Sequence, residues 1–271
     1  MPTIDEKRVY DAKTGTTRAL VASPIGVVGV AVSDDIVGEF GIDHRCAARD
    51  LAAAGDALAV ATDEDVLVGE YEPTDHGPAA AVGIDGDAML AGAPDGTVSR
   101  LARDADEWVE LGTVAEPRRM AGPLVAAADG VHRVAGGVVE YVGLEDARDV
   151  ATGGTPLAAT GEGLYTLGNG WMRDFDGAFR SVSTDPAGER AVAATGASVV
   201  ERVGDGAEWR SHEEADVVDL AVDSDLLVGV TGDGELRVRS GGSADDGAVG
   251  DWRGRHLGVP DASAVVLPGT E

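Results

Sequence analysis

The sequence has few cysteine, lysine or aromatic residues, and it has no long apolar run. Cys46 is the single cysteine, so no disulfide can form within the chain, as is typical of proteins in a reducing compartment. No stretch approaches the roughly 18 consecutive apolar residues of a membrane-spanning helix. The segment 1–15 is charged and has no apolar core of a secretory signal. We therefore expect a cytoplasmic protein that does not bind membranes.

The charge of the chain is strongly one-sided. It has 49 acidic residues against 21 basic ones, a formal net charge of −28, and its only lysines are Lys7 and Lys13. Such a chain repels itself in dilute buffer, whereas the Debye length of about 3 Å in molar salt screens the repulsion. With 44% hydrophobic residues, the composition favours a folded halophilic protein over an acidic disordered one. An acidic surface also repels nucleic-acid phosphates, so we expect no nucleic-acid partner.

One pattern recurs seven times along the chain. A short apolar segment of small residues is followed by a tight turn with Gly, Asp or Pro, and then by a second alternating segment. The copies are 20–28, 59–67, 90–98, 125–131, 158–164, 193–199 and 228–236. Their turn centres lie 31 to 39 residues apart, close to the roughly 40 residues of a four-stranded propeller blade. Alternation and turn chemistry indicate β-hairpins rather than helical repeats.

These repeats predict an all-β fold, a single closed seven-bladed β-propeller. The predicted innermost strands are 49–52, 80–83, 119–122, 148–151, 180–183 and 218–221. The seventh is expected from 262–266, which would complete the N-terminal blade begun by 18–42 and so join the two chain ends in a velcro closure. We assign 1–17 to an N-terminal segment, 18–271 to the propeller and 240–250 to a loop.

All four tryptophans recur at one position of the repeat. They are Trp108, Trp171, Trp209 and Trp252, each at the start of a predicted outer strand. Aromatic recurrence in repeats usually marks packing between neighbouring units, and we expect that role here, with a ligand-binding aromatic cage as the alternative.

Four segments of the sequence carry a family resemblance: 6–10, 47–50, 61–67 and 167–172. With them, the chain resembles, across its full length, an uncharacterised family of haloarchaeal β-propeller proteins. The resemblance implies the propeller fold and a haloarchaeal source, and it implies no activity.

An arginine column is the strongest candidate site. Arginines align at the start of predicted inner strands, and aspartates align at the next position. The set is Arg49, Arg119, Arg148 and Arg180, with Asp50, Asp149 and Asp219. Because inner strands line the channel, these side chains are expected around one channel mouth, where guanidinium groups can hold a carboxylate or phosphate. The alternative is a ring of Arg–Asp ion pairs that ties neighbouring blades.

Other chemistry has weaker signals. The sequence has no nucleophile elbow, phosphate-binding loop or dinucleotide fingerprint, and it predicts no cofactor. The five histidines are widely separated, and we predict no metal site. The acidic turns 85–87 and 223–225 can be hard-cation sites, but turn carboxylates are the favoured interpretation. Cys46 is expected to be a small buried hydrophobe rather than a reactive thiol.

The sequence predicts a non-catalytic interaction platform that binds a protein partner. The alternative is a small-ligand sensor or an enzyme that holds an anion at the arginine-lined channel mouth. Propellers support all of these functions, so the fold alone does not choose among them.

Overall fold

The computed structural model describes residues 16–204, 208–213, 216–240 and 252–269. In these residues it contains β-strands and no helix, and so no helix that can span a membrane. The strands form seven four-stranded antiparallel sheets, which we number as blades 1 to 7. The predicted seven-bladed, all-β propeller is therefore confirmed. Segments 1–15 and 241–251 lie outside the described residues, so the predicted N-terminal segment and the predicted loop stay predictions.

Each blade contains four strands in an up-and-down order. Blade 1 contains β1 (Thr16–Ser23), β2 (Gly26–Ser33) and β3 (Ile36–His44); blade 2 contains β4 (Ala48–Ala54), β5 (Ala57–Thr62), β6 (Val66–Val68) and β7 (Glu72–Pro73); blade 3 contains β8 (Ala81–Asp85), β9 (Ala88–Gly92), β10 (Thr97–Leu101) and β11 (Val109–Thr113); blade 4 contains β12 (Pro117–Ala121), β13 (Leu124–Ala127), β14 (Gly130–Ala135) and β15 (Val138–Gly143). Blade 5 contains β16 (Ala147–Ala151), β17 (Leu157–Thr160), β18 (Gly163–Leu167) and β19 (Trp171–Asp176); blade 6 contains β20 (Ser181–Thr184), β21 (Arg190–Ala194), β22 (Ser198–Val203) and β23 (Arg210–Glu213); blade 7 contains β24 (Val217–Val222), β25 (Leu226–Thr231), β26 (Glu235–Ser240) and β27 (Arg253–His256).

The innermost strand of blade 1 is β28 (Ala264–Val266), within the predicted segment 262–266. It pairs antiparallel with β1, in a register that places Val265 opposite Val21. The first sheet therefore contains strands from both ends of the described chain.

Glycine shapes the hairpins at close approaches. Gly234 has φ +81°, and a Cβ placed there would lie 2.0 Å from the carbonyl oxygen of Val259. Gly96 has φ +97°, and a Cβ placed there would lie 2.2 Å from the carbonyl oxygen of Val114. The amide groups of Leu257 and Val114 donate to these glycine carbonyls, each at 2.9 Å. A side chain would break this packing, which explains the Asp-Gly turns of the repeat.

The hydrophobic core is divided among the seven interfaces between neighbouring blades. Each interface has its own buried cluster, including the one in which Val28 and Val30 of blade 1 pack with Val228 and Val230 of blade 7. Strands in the middle of a blade are covered on both faces, so they are buried throughout, as β25 is. This double coverage explains the apolar runs of small residues in the sequence.

The tryptophans pack between blades, as predicted. Trp108, Trp171 and Trp252 contact the buried clusters at the 2–3, 4–5 and 6–7 interfaces, and Trp209 contacts the 5–6 cluster. Trp171 Nε1 donates to the carbonyl oxygen of Val142 in the preceding blade at 3.1 Å. Each ring thus covers the outer end of an interface.

Candidate functional site

Charged side chains from blades 2, 4, 5 and 7 meet near the propeller axis. They form the axial charge cluster, defined as Asp50, Arg119, Asp149 and Asp219. Arg119 Nη1 lies 3.3 Å from Asp50 Oδ1, and its Nη2 lies 4.0 Å from Asp219 Oδ2. Arg119 Nη2 also donates to the carbonyl oxygen of Ser263, beside the innermost strand of blade 1. One guanidinium thus reaches from blade 4 across to blades 1, 2 and 7.

The register of the inner strands corrects the predicted arginine column. Asp50 and Asp149 each follow a one-residue bulge, and so does Arg119. Arg119 therefore occupies the position of the aspartates and not that of Arg49 and Arg148. The residue that shares the bulge position with those two arginines is Arg118. Because Arg118 and Arg119 are adjacent, the sequence alone does not show which of them aligns with Arg49 and Arg148.

The predicted arginines other than Arg119 lie away from the axis. Arg148 Nη2 pairs with Asp146 Oδ2 at 3.2 Å, and Arg180 Nη1 lies 3.9 Å from Asp216 Oδ1. Arg49 is exposed. Arg118, which the sequence analysis did not select, bonds the other oxygen of Asp146 at 2.6 Å and so links blade 4 to the start of blade 5. The Arg118–Asp146 and Arg180–Asp216 pairs thus join neighbouring blades, as the ion-pair alternative describes, whereas Arg148 pairs next to its own strand.

The aspartates also hold neighbouring blades together through the backbone. In each case one carboxylate oxygen accepts the amide N–H of the next blade's innermost strand. Asp50 accepts from Val82 at 3.0 Å, Asp149 from Val182 at 2.7 Å and Asp219 from Val265 at 2.8 Å. Ser181 takes part as well, because its hydroxyl donates to Asp219 at 2.7 Å. The recurrence of Asp at this position is therefore a structural signal of inter-blade contact.

Burial changes the protonation of this cluster. Desolvation, opposed by Arg119, raises the pKa of Asp50 to about 6. Desolvation and the neighbouring charge of Asp219 raise the pKa of Asp149 to about 7. Desolvation works against the charged form of Arg119, but the three carboxylates outweigh it and raise the pKa of Arg119. The cluster therefore binds a proton far more readily than surface carboxylates do.

A cavity of about 1260 Å³ extends from the axial charge cluster along the inner strands. It reaches the turns that follow these strands, where Asp185, Asp223 and Asp225 line it. The cluster, whose aspartates are buried, lies at one end of the cavity. At the starts of the inner strands, the cavity is lined by Asp50, Arg119, Asp149 and Asp219. Of the four predicted arginines, Arg119 lines this cavity. The hypothesis that an anionic ligand binds there stays a prediction.

The structure also describes two other candidates from the sequence, Cys46 and the acidic turn 223–225. Cys46 is half-buried against the 1–2 interface, and burial together with Asp63 and Glu64 raises the pKa of its thiol. This contradicts a reactive low-pKa thiol. Asp223 Oδ1 accepts the amide groups of Asp225 and Leu226, as a turn carboxylate does.

The histidines are spread around the ring. His44 stacks on Tyr71, His76 contacts Trp108, and His132 pairs with Asp129 at 2.9 Å. Within the described ranges, no group of three or more His, Cys, Asp or Glu side chains is arranged to hold a metal ion.

A second buried charge cluster joins blades 6 and 7. Arg190 Nε donates to Glu201 Oε1 at 2.8 Å, and Arg239 Nη2 donates to the other oxygen of Glu201. Arg239 also lies over the ring of Trp252, with its guanidinium carbon 5.2 Å from the centroid. The three charged residues lie on three separate strands, so no local sequence pattern marks them.

The comparisons with known proteins identify the family. The model of the family described as "Beta-prop_HVO_0234:-like, beta propeller" matches residues 3–268. The chain belongs to this family. The match covers every blade, which agrees with the resemblance to a β-propeller family seen in the sequence. The comparison with curated proteins gave no match.

Solved structures share the fold at low sequence identity. One is a functionally unknown protein from Desulfotomaculum acetoxidans DSM 771, with TM-score 0.68, 10% identity, and coverage of 94% of this chain and 100% of that one. Another is a chain of a nidogen/laminin complex, with TM-score 0.62, 10% identity, and 93% and 98% coverage. A third is the computationally designed Ika8 protein, with TM-score 0.60, 16% identity, and 93% and 91% coverage. At these identities the likeness concerns the fold alone.

Proposed function

We propose that this propeller is a non-catalytic interaction platform that binds a protein partner on its side. The observation that supports it is the exposure of four large apolar side chains on the outer strands of blades 3, 4 and 5. Val109 is 61% exposed, Val138 49%, Tyr141 57% and Met172 55%. We call these four residues the lateral patch. Exposed apolar side chains on the outer strands of three successive blades favour a protein interaction site there.

The strands that carry the lateral patch adjoin one another. Gly112 of β11 approaches Val139 of β15, because a Cβ built on the glycine would lie 3.5 Å from the valine Cβ. β15 contacts blade 5 through the hydrogen bond from Trp171 to Val142. The outer strands are also the edges of their sheets, with one side of the backbone free of a neighbouring strand in the same blade. Edge strands offer backbone groups to an extended partner segment.

The chemistry of the partner follows from the surroundings of the patch. Glu110 and Glu140 are exposed beside the apolar side chains on β11 and β15. The whole chain carries a formal charge of −28. A partner surface with an apolar centre and basic residues around it complements both features. The proposal includes a salt-rich cytoplasm as the setting, on the basis of the acidic composition and the single cysteine.

Affinity capture from lysate at molar KCl tests the platform. Val138→Asp combined with Met172→Asp should lose a specific partner that the wild-type chain retains, because two charges then enter the apolar contact. Ile36→Asp, at a 56% exposed site in blade 1, is the matched control and should retain the partner. Equal capture by all three chains, or capture of nothing specific by the wild type, would rule the lateral patch out. Thermal unfolding of each variant checks that the fold is intact.

A further inference from the structure

Asn169 is the only asparagine of the chain, and the chain contains no glutamine. It is followed by Gly170 in the loop that joins β18 to β19, and both residues are exposed. The carbonyl carbon of an asparagine side chain is open to attack by the backbone nitrogen of the next residue. Glycine hinders this attack least because it has no Cβ, and asparagine is accordingly among the thermolabile residues of proteins.

The loop leaves both reacting groups unengaged. Among the described residues, neither the side-chain amide of Asn169 nor the backbone amide of Gly170 has a hydrogen-bond partner. The carbonyl oxygen of Gly170 is held instead, since it accepts the amide N–H of Gly168 at 3.0 Å. A Cβ built on Gly170 would meet no atom within 4 Å. The attacking nitrogen is therefore free, and the space beside it is open.

The Asp-Gly turns of the same chain are arranged differently. Gly96 and Gly234 each donate their amide N–H to a backbone carbonyl oxygen, at 2.9 and 3.0 Å. Hydrogen bonds from threonines lower the pKa of Asp95 and Asp233 below the usual range. These side chains are therefore ionised carboxylates, which are poor electrophiles, whereas the carboxamide of Asn169 is uncharged. Both the chemistry and the turn geometry thus distinguish Asn169 from the acidic turns.

We propose that Asn169 is a site of spontaneous deamidation. The backbone nitrogen of Gly170 loses its proton and bonds to the side-chain carbonyl carbon of Asn169. The carbon–nitrogen bond of the carboxamide breaks, and its nitrogen leaves as ammonia with the proton. The product is a cyclic imide, which water opens at either carbonyl to give aspartate or isoaspartate. The reaction consumes water and needs no oxidant, reductant or enzyme.

Both products change the hairpin that carries them. Each adds one negative charge to the loop, three positions before Met172, which is 55% exposed. In isoaspartate the backbone also passes through the former side-chain methylene, so the chain between Leu167 and Trp171 becomes longer. These two residues are paired across the hairpin, and Trp171 donates to blade 4. The modification does not depend on the proposed protein partner.

Incubation of the folded full chain in molar KCl at mildly alkaline pH, followed by peptide mass spectrometry, tests the proposal. The peptide that contains residue 169 should gain about 1 Da, because an NH2 group is replaced by OH. It should also separate into an aspartate and an isoaspartate form. Gly170→Ala should slow the mass gain at least about fivefold, because its Cβ hinders the attacking nitrogen. Gly168→Ala is the matched control in the same loop and should react as the wild type does.

Three results would overturn the proposal. One is a wild-type peptide that keeps its mass when folded although the chain unfolded in urea reacts, since the loop would then protect Asn169. Another is an equal rate in Gly170→Ala, and the third is conversion to aspartate without isoaspartate, which would indicate direct hydrolysis. If circular dichroism shows that Gly170→Ala does not fold, the ratio of the two wild-type products and the comparison with the unfolded chain still decide the question.

Discussion

At the axis, Asp149 is an ionisable group whose environment conflicts with its charge. It is buried, it lies near Asp219, and Arg119 contacts Asp50 rather than Asp149. The two amide groups that donate to it offset part of the desolvation cost, yet its pKa is raised to about 7. The folded state therefore holds a proton at this carboxyl that the unfolded state, with a pKa of about 3.9, releases. Stability must then depend on pH through this residue.

The contribution of Asp149 to stability should be present below about pH 4 and lost as pH rises through about 7. Asp149→Asn removes this dependence. Relative to the wild type, the variant should gain on the order of 2 kcal/mol in unfolding free energy between pH 5 and pH 8. Arg119, Asp219 and Ser181, which face the carboxyl from blades 4, 7 and 6, are unchanged in the variant. Urea unfolding in molar KCl at the two pH values measures the difference; the same difference at both would show that Asp149 titrates normally.

The hairpin and the inter-blade contact are the repeating elements of this fold. Each blade alone is a thin sheet of small residues, and each becomes stable by burying both faces against its neighbours. Tight turns and bulges determine how closely the blades approach. At Gly234 the chain turns with φ +81° directly against the carbonyl of Val259, which precedes the innermost strand β28. The turn geometry of blade 7 is thus coupled to the segment that leads into blade 1.

Gly234→Ala should destabilise the protein by roughly 2 kcal/mol or more, because the added Cβ meets both a left-handed φ and a backbone oxygen. Gly41→Ala is the matched control. Gly41 lies in β3, and a Cβ there meets no atom within 4 Å, so we expect a change within about 0.5 kcal/mol. Thermal and urea unfolding of both variants at one salt concentration compares them. A near-neutral Gly234→Ala would mean that the turn relaxes without cost.

On the scale of the whole molecule, the dominant property is the net charge of −28 on 271 residues. Several arginines form buried ion pairs between or within blades: Arg119 pairs with Asp50, and Arg190 and Arg239 pair with Glu201. Most carboxylates therefore repel one another across the surface. Salt acts on this repulsion more than on the buried pairs, because buried pairs are screened less.

The melting temperature should rise by more than about 10 °C between 0.1 M and 2 M KCl, since the Debye length falls from about 10 Å to below about 3 Å over this range. Differential scanning calorimetry measures the shift. An uncharged osmolyte at the same osmolality is the control for general exclusion effects and should produce a smaller rise. A melting temperature that does not respond to KCl would contradict both the repulsion argument and the predicted halophilic setting.

The sequence by itself determined the repeat, the number of blades, the role of the tryptophans and the inner-strand position of Asp50, Asp149 and Asp219. These features are local: a turn, an alternation or a residue type at a fixed spacing follows from short-range backbone chemistry. Tertiary structure decided the rest. One-residue bulges placed Arg119 among the aspartates and left Arg49 and Arg148 outside, because a shift of one residue moves a side chain to the other face of a strand. The acidic cavity and the Arg190–Glu201–Arg239 cluster likewise depend on strands that are distant in sequence and meet only when the ring of blades forms.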